Sequence, residues 1–346
     1  MIWDIANVAY YLTKGLIERN VQAHLLVPQQ VEAKEFLMSH LFPSDNISLT
    51  NARSTLALLN ELTKQEYRRF DLYHAHYALS PAICCALLRK RFVVHCHGTD
   101  VRETAKKLKY RHFIRFGLRS ARKVLVSTPD LIPHVEDLGV EPEFLPNPVD
   151  LDAFRPFESE IDLRSGFDFV LFHPSRIEWS TKGTDKVVRA FSHVVNRGRR
   201  ARLVMVEYGP DLEKTKKLIK ALSIGENVLF IPPIPHQEMP NYLNSCDIVL
   251  AQFNLGNLVL VSIEAMACGK PVIADYRFRE CYGAAPVIHA RTIDEISMKI
   301  EDLLNDGALR KRLGNEGRRY VAKHHALPKI VDDLLDIYED ITSITA

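Results

Sequence analysis

The chain has 346 residues, 47% hydrophobic and 25% charged, with a formal net charge of +2. This is the composition of an ordinary globular protein long enough for two domains, and no basic excess demands a nucleic-acid partner. No apolar run approaches the roughly 18 residues of a membrane span, and MIWDIANVAYYLTKGLIERN lacks the basic-then-apolar pattern of a signal peptide.

Residues 3–19 read as a helix, and VQAHLLVP (21–28) is the first strand-like run. DLYHAHY (71–77), RFVVHCHG (91–98), RKVLVST (122–128) and EFLPNPV (143–149) complete a first set of short strands. LPNPVDLDAFRPFESEIDLRSG (145–166), rich in Pro and acids and without period, reads as a linker. A second set follows: FDFVLFHPS (167–175), RARLVMVEYG (200–209), NVLFIPP (227–233), CDIVLAQF (246–253), KPVIADY (270–276) and APVIHA (285–290). Apolar strands alternating with helical stretches predict parallel sheets covered on both faces. The fold class is therefore α/β, with two Rossmann-like doubly wound domains. The expected boundaries are 1–147, 148–327 and a closing helix over 328–346, apolar on one face at 330, 331, 334, 335, 337 and 338. A doubly wound domain ordinarily begins with a strand and a glycine loop. Here the chain opens on the helix, so the first domain is expected to lack that strand.

In open parallel sheets ligands gather at the carboxyl ends of strands, near helix N-termini. After the first strand of the second set comes HPSRIEWSTKGTDKVVRAF (173–191). Arg176 and Lys182 precede a helix opened by Gly183, which suits a diphosphate clamp, although taken alone the pair reads more readily as two solvated surface charges. In QFNLGNLVLVSIEAMACGKPVI (252–273), Asn254–Asn257 read as a loop and Leu258–Cys268 as a helix stopped by Gly269. Glu264 is the single acid in this run. A buried lone carboxylate is costly without donors, so it needs either an internal partner such as Arg or a ligand diol.

The first set carries two H-x-H pairs, His74/His76 and His95/His97, each aligned on one side of its strand. No Cys or carboxylate spacing supports a metal there, so no metal is expected. His97-Gly98-Thr99-Asp100 follows a strand and is the first domain's candidate site. Asp150-Leu151-Asp152 has D-x-D form but reads as turn chemistry. P-loop, dinucleotide-glycine and nucleophile-elbow motifs are absent. Residues 104–123 hold eight Lys/Arg and no acid, with Leu108, Phe113, Ile114, Phe116 and Leu118 interspersed. That run is either a solvated helix face or a peripheral contact with anionic lipid. The six cysteines form no C-x-x-C pair, a usage that suits a reducing cytoplasm.

Together SRIEWSTKGTDKVVRAF, IEAMACGKPVIA, LPNPVDLDAFRP and HGTDVR resemble glycosyltransferase family 4, over nearly the whole chain. The resemblance implies the GT-B fold and retaining transfer from a nucleotide sugar, a UDP- or GDP-sugar, without a metal or other cofactor. By motif match Arg176 and Lys182 would hold the donor diphosphate and Glu264 the ribose. Gly256 and Asn257 would line the donor site, and His97 would lie near the transferred sugar. The sequence departs from the family in three places. Gly256 stands eight positions before Glu264, where an acid is usual; Asn147-Pro148 replaces Asn-Gly; and the opening strand is missing. These departures keep two other readings open, a non-catalytic nucleotide-sugar-binding protein and a GT-B nucleotide-sugar epimerase.

Overall fold

A computed structural model describes residues 1–29, 38–41, 44–52 and 54–343. The chain divides into two compact units. One holds Met1–Pro148 and the chain from His325 onward; the other is Val149–His324. Helix expected beyond 343 lies outside the described residues.

In the first unit β1 (Leu25–Pro28) pairs with β2 (Ile47–Thr50), both parallel. A second ladder runs β3 (Tyr73–Ala75), β4 (Phe92–Cys96), β5 (Lys123–Val126) and β6 (Glu143–Phe144), also parallel. Ile2 forms single parallel bridges to Leu26 of β1 and to Ala75 of β3. It therefore stands in the central strand position that the sequence reading left empty. The turn after it uses positive φ at Trp3, Ala6 and Asn7 in place of glycines, and the helix begins only at Val8. Asp4 caps that helix, its Oδ1 accepting from the Ala9 and Tyr10 amides at 3.1 and 3.3 Å. The expected helix over 3–19 is thus shortened by a structured loop.

The two faces of this sheet are covered by different helices. Ala75, Phe92, Val94, Cys96, Val124 and Val126 pack under Ala82, Cys85, Ile114 and Leu118. The opposite face, with Val93 and Leu125, packs under Val8, Leu12 and Leu16 and under Leu327, Ile330, Val331 and Leu334. The closing helix, Leu327–Ser343, is therefore part of the first unit's core.

The second unit is a six-stranded parallel sheet. Its strands are β7 (Phe169–His173), β8 (Ala201–Val206), β9 (Val228–Ile231), β10 (Ile248–Leu250), β11 (Val272–Ala274) and β12 (Ile288–His289). They lie in the order β12-β11-β10-β7-β8-β9. The winding reverses between β7 and β10, which makes the mouth of those two strands the topological switch point. Helix Thr184–Asn196 buries Val187, Val188, Ala190, Phe191 and Val194 against the sheet at helical spacing. Helix Ile293–Asn305 starts from a capping box of Thr292 and Glu295, worth about 1 kcal/mol. Among the described residues no helix is long and apolar enough to cross a membrane. The six cysteines are free, and only Cys281 is exposed.

Candidate active site

Two loops leave the switch point of the second unit, one after β7 and one after β10. The first carries Arg176, whose Nη2 donates to Glu178 Oε2 at 2.6 Å. Glu178 also accepts from Thr181 Oγ1 at 2.6 Å. Burial works against its charge, but these donors outweigh it and hold the carboxyl below its usual range. Arg176 is exposed and Lys182, at the end of the short helix Trp179–Lys182, is half-buried. Gly183 then opens helix Thr184–Asn196 with φ 66°.

This loop is braced from below at a residue the sequence reading passed over. Gly209, after β8, has φ +139°, and a Cβ there would sit 2.3 Å from the Ile177 carbonyl oxygen. The Ile177 amide in turn donates to the Tyr208 carbonyl at 2.7 Å. No side chain fits beneath Ile177, so glycine at 209 sets the height of Arg176 above the sheet.

The loop after β10 is organised by Gln252, which is fully buried. Its Oε1 accepts from the Asn254 and Leu255 amides at 3.0 and 2.7 Å. Its Nε2 donates to the carbonyls of Asn257 and Asp275 at 2.8 and 2.7 Å. Its amide is thus spent inside the loop. Asn254 joins the two loops, its Nδ2 donating to the carbonyls of Trp179 and Ser180 at 2.8 and 3.1 Å. Lys186 adds bonds to the Phe253 carbonyl at 3.1 Å and to Asn254 Oδ1 at 2.6 Å.

Gly256 has φ +80°, and a Cβ there would lie 2.5 Å from Arg277 Nε. The Arg277 guanidinium thus fills the space in which a side chain at 256 would begin. Asp275 holds it, Nε to Oδ1 at 3.1 Å. Asn257 is buried beside it.

Glu264 lies in helix Leu260–Ala267 and is 4% exposed. Its protein partner is His236, whose Nε2 stands 2.6 Å from Oε1. An Arg was offered as an internal partner; the structure supplies a histidine from the loop after β9, its ring tilted against Phe154 at 5.2 Å. Arg176, Lys182, Gly256, Asn257 and Glu264 all belong to this one unit.

His97 belongs to the other unit. It follows β4 and meets His76, Nε2 to Nδ1, at 3.0 Å. Burial pushes its imidazole down to about 3, so the ring is neutral. Gly98 follows with φ +127°. Asp100 is fully buried, and its carboxylate accepts from the amides of Gly98, Val101 and Ala78 at 3.0–3.1 Å. It was read beside His97 as a candidate site residue, but it shapes the loop. Asp150 likewise closes a turn, Oδ1 accepting from Asp152 and Ala153 at 3.1 and 3.3 Å.

Comparison with known proteins agrees with this architecture. A model described as "Glycosyltransferase Family 4" matches residues 5–153, and one described as "Glycosyl transferases group 1" matches 155–320. The structure of Anabaena HepE in complex with UDP and glucose superposes with a TM-score of 0.77 at 16% identity, covering 98% of each chain. The chain has the fold of the GT-B class and is a glycosyltransferase. Among curated relatives, N-acetyl-alpha-D-glucosaminyl L-malate synthase of Bacillus anthracis is 27% identical, covering 83% of this chain and 79% of its own. D-inositol 3-phosphate glycosyltransferase of Frankia alni is 29% identical, covering 59% and 57%. The chain belongs to glycosyltransferase family 4.

Proposed function

We propose that the chain is a retaining glycosyltransferase that moves a sugar from a UDP- or GDP-sugar to a hydroxyl acceptor. The observation that carries this is the convergence of Arg176, Lys182 and the Gly256–Asn257 loop at the switch point between β7 and β10. Breaking the bond from C1 of the sugar to the diphosphate leaves negative charge on the diphosphate and positive charge on the ring. Arg176, Lys182 and the N-terminal amides of helix Thr184–Asn196 stabilise that leaving charge, so no divalent ion is needed at the diphosphate. The acceptor oxygen attacks C1 from the face the diphosphate leaves, and its proton passes to a diphosphate oxygen. No protein carboxylate then serves as nucleophile. Glu264 accepts from the ribose hydroxyls, with His236 holding it in place. His97, a neutral imidazole, is the first unit's candidate catalytic residue. At the sugar end Arg277 fills the place above Gly256, so a cation is read there in place of an acid. The names of the relatives, which include L-malate and inositol 3-phosphate, support an alcohol hydroxyl as acceptor.

The reading includes a surface contact. Helix Leu108–Ser120 exposes Leu108, Phe113 and Phe116 among Lys107, Lys109, Arg115 and Arg119, a composition that favours the interface of an anionic membrane.

The test is transfer and hydrolysis measured across a panel of UDP- and GDP-sugars, uronic acids included. Arg176→Ala is expected to lower kcat/KM by about 10²–10³-fold, the loss typical of one preorganised charge-stabilising donor. Unchanged turnover and binding in that variant would overturn the assignment.

A further inference from the structure

Four imidazoles share one face of the first unit's sheet. His74 and His76 lie two residues apart near the end of β3, and His95 and His97 two apart near the end of β4. The register sets His74 beside Val93 and Ala75 beside Val94, which brings His76 level with His95. Ring centroids are 4.3 Å apart for His74 and His76, 5.4 Å for His74 and His95, and 5.3 Å for His76 and His95. His74, His76 and His95 are 2%, 0% and 0% exposed. This is the face that carries Val93 and Leu125, covered by helices Val8–Glu18 and Leu327–Ser343.

Their hydrogen bonding is lopsided. His74 Nδ1 meets the Tyr338 hydroxyl at 2.6 Å, and His76 Nδ1 meets His97 Nε2 at 3.0 Å. The Nε2 atoms of both, and both nitrogens of His95, are buried with no hydrogen-bond partner among the described residues. Buried polar atoms are almost always paired, so a group of unpaired nitrogens facing one another needs an explanation. One ring nitrogen fixed by a neighbour and the other left free is how a protein orients an imidazole toward a metal. One ligand atom from each of His74, His76 and His95 lies within 4.8 Å of the others. A tetrahedral zinc with bonds of about 2.0–2.1 Å draws its ligands to about 3.4 Å apart, a closure that side-chain torsions supply.

We propose that His74, His76 and His95 form a buried site for a divalent late first-row cation, best matched by zinc, that ties β3 and β4 to the closing helix through Tyr338. The donor set decides the class. Three imidazoles suit zinc, nickel or copper, and no thiolate or carboxylate is offered. Cys96, between two of the histidines, packs on the opposite face, and the Asp100 carboxylate is spent on backbone amides. A cavity of about 270 Å³, lined in part by His24, Tyr73, His74 and Tyr338, reaches one edge of the cluster. The ion is structural, and its three ligands and Tyr338 all belong to the first unit.

The test uses the full chain without a polyhistidine tag. Zinc content is measured by mass spectrometry after dialysis, and cobalt(II) titrated into the chelator-stripped protein is followed by its visible bands. Stoichiometric zinc, a low-coordinate cobalt spectrum and a higher melting temperature on zinc addition are expected. His95→Gln should abolish the cobalt spectrum. Tyr338→Phe, which removes only the hydroxyl held by His74, should weaken zinc about tenfold, and it serves where His95→Gln does not fold. Wild-type protein that retains no zinc and gives no cobalt spectrum would overturn the site. Equal binding by His95→Gln would also overturn it, assigning the ion to surface histidines.

Discussion

The two sheets put their polar groups in different places. In the second unit the strands are mostly apolar, with buried His173 at the end of β7, and the candidate site residues lie in the loops and helices beyond them. Gln252, Asn254 and Lys186 consume one another's hydrogen bonds there, which leaves Arg176 outward at the switch point. In the first unit four histidines lie in or just after β3 and β4, and three of them are buried beneath helices. One sheet is built to present charge to a ligand, and the other to enclose neutral nitrogens. Rigid backbone bracing does for the first what helix cover does for the second.

The sharpest way to break the first half of this contrast is to disturb the brace and leave the charges alone. Gly209→Ala places a Cβ against the Ile177 backbone and strains a left-handed residue. We expect a loss of about 2–5 kcal/mol of stability, read by urea denaturation, and nucleotide affinity should fall although Arg176 is intact. An unchanged midpoint and affinity would show that the Arg176 loop does not depend on Gly209. The next effect concerns Glu264. Glu264→Ala should weaken nucleotide binding by about 1.5–3 kcal/mol, the range for hydrogen bonds to a charged group. Binding measured by calorimetry that stays unchanged would leave Glu264 as nothing more than the partner of His236.

The fold was legible because buried parallel strands are written as apolar runs. Every strand but β2 falls inside a segment that the runs marked. The missed strand, Ile47–Thr50, has half-exposed or exposed residues at 47–49 and pairs, among the described residues, only with β1, so burial imposed no apolar pattern on it. The positions of Arg176, Lys182 and Glu264 were readable as motifs. What holds them was not, because each support is distant in sequence. Gly209 matters only through Ile177, His236 reaches Glu264 from another loop, and Arg277 fills the space above Gly256. The two H-x-H pairs were visible, but the register that levels His76 with His95 and the helix that covers them are tertiary facts.

A third measurement separates the units by pH. His173 ends β7, fully buried, with Nδ1–H donated to the Leu250 carbonyl at 2.7 Å. Burial lowers it from 6.5 to about 4. A histidine lowered in the folded state stabilises above its unfolded value and loses that contribution as pH falls toward its folded one. Between pH 7 and pH 5 this amounts to about 2 kcal/mol for this residue. His173→Gln should be less stable at pH 7 yet show a shallower decline toward pH 5, measured by denaturation at each pH. Parallel slopes in the two proteins would remove His173 as a cause.

The smallest effect tests whether the charges of the first unit, which lie outside its sheet, face a ligand of their own. Helix Leu108–Ser120 buries Ile114, Gly117 and Leu118 against the core and turns Phe113, Arg115 and Phe116 outward. A solvated helix needs no exposed phenylalanines beside its cations; an interfacial helix uses both. Each basic residue near an anionic surface contributes about 1 kcal/mol, screened by salt. Arg115→Gln should therefore lower partitioning onto vesicles containing phosphatidylserine about fivefold, with no change on neutral vesicles and no change in sugar transfer to a soluble acceptor. Phe116→Ser should lower partitioning on the same anionic vesicles, because the apolar face carries the insertion and the charge only gathers the protein to the surface. Flotation of the wild-type chain that is equal with and without anionic lipid would make the helix an ordinary solvated face.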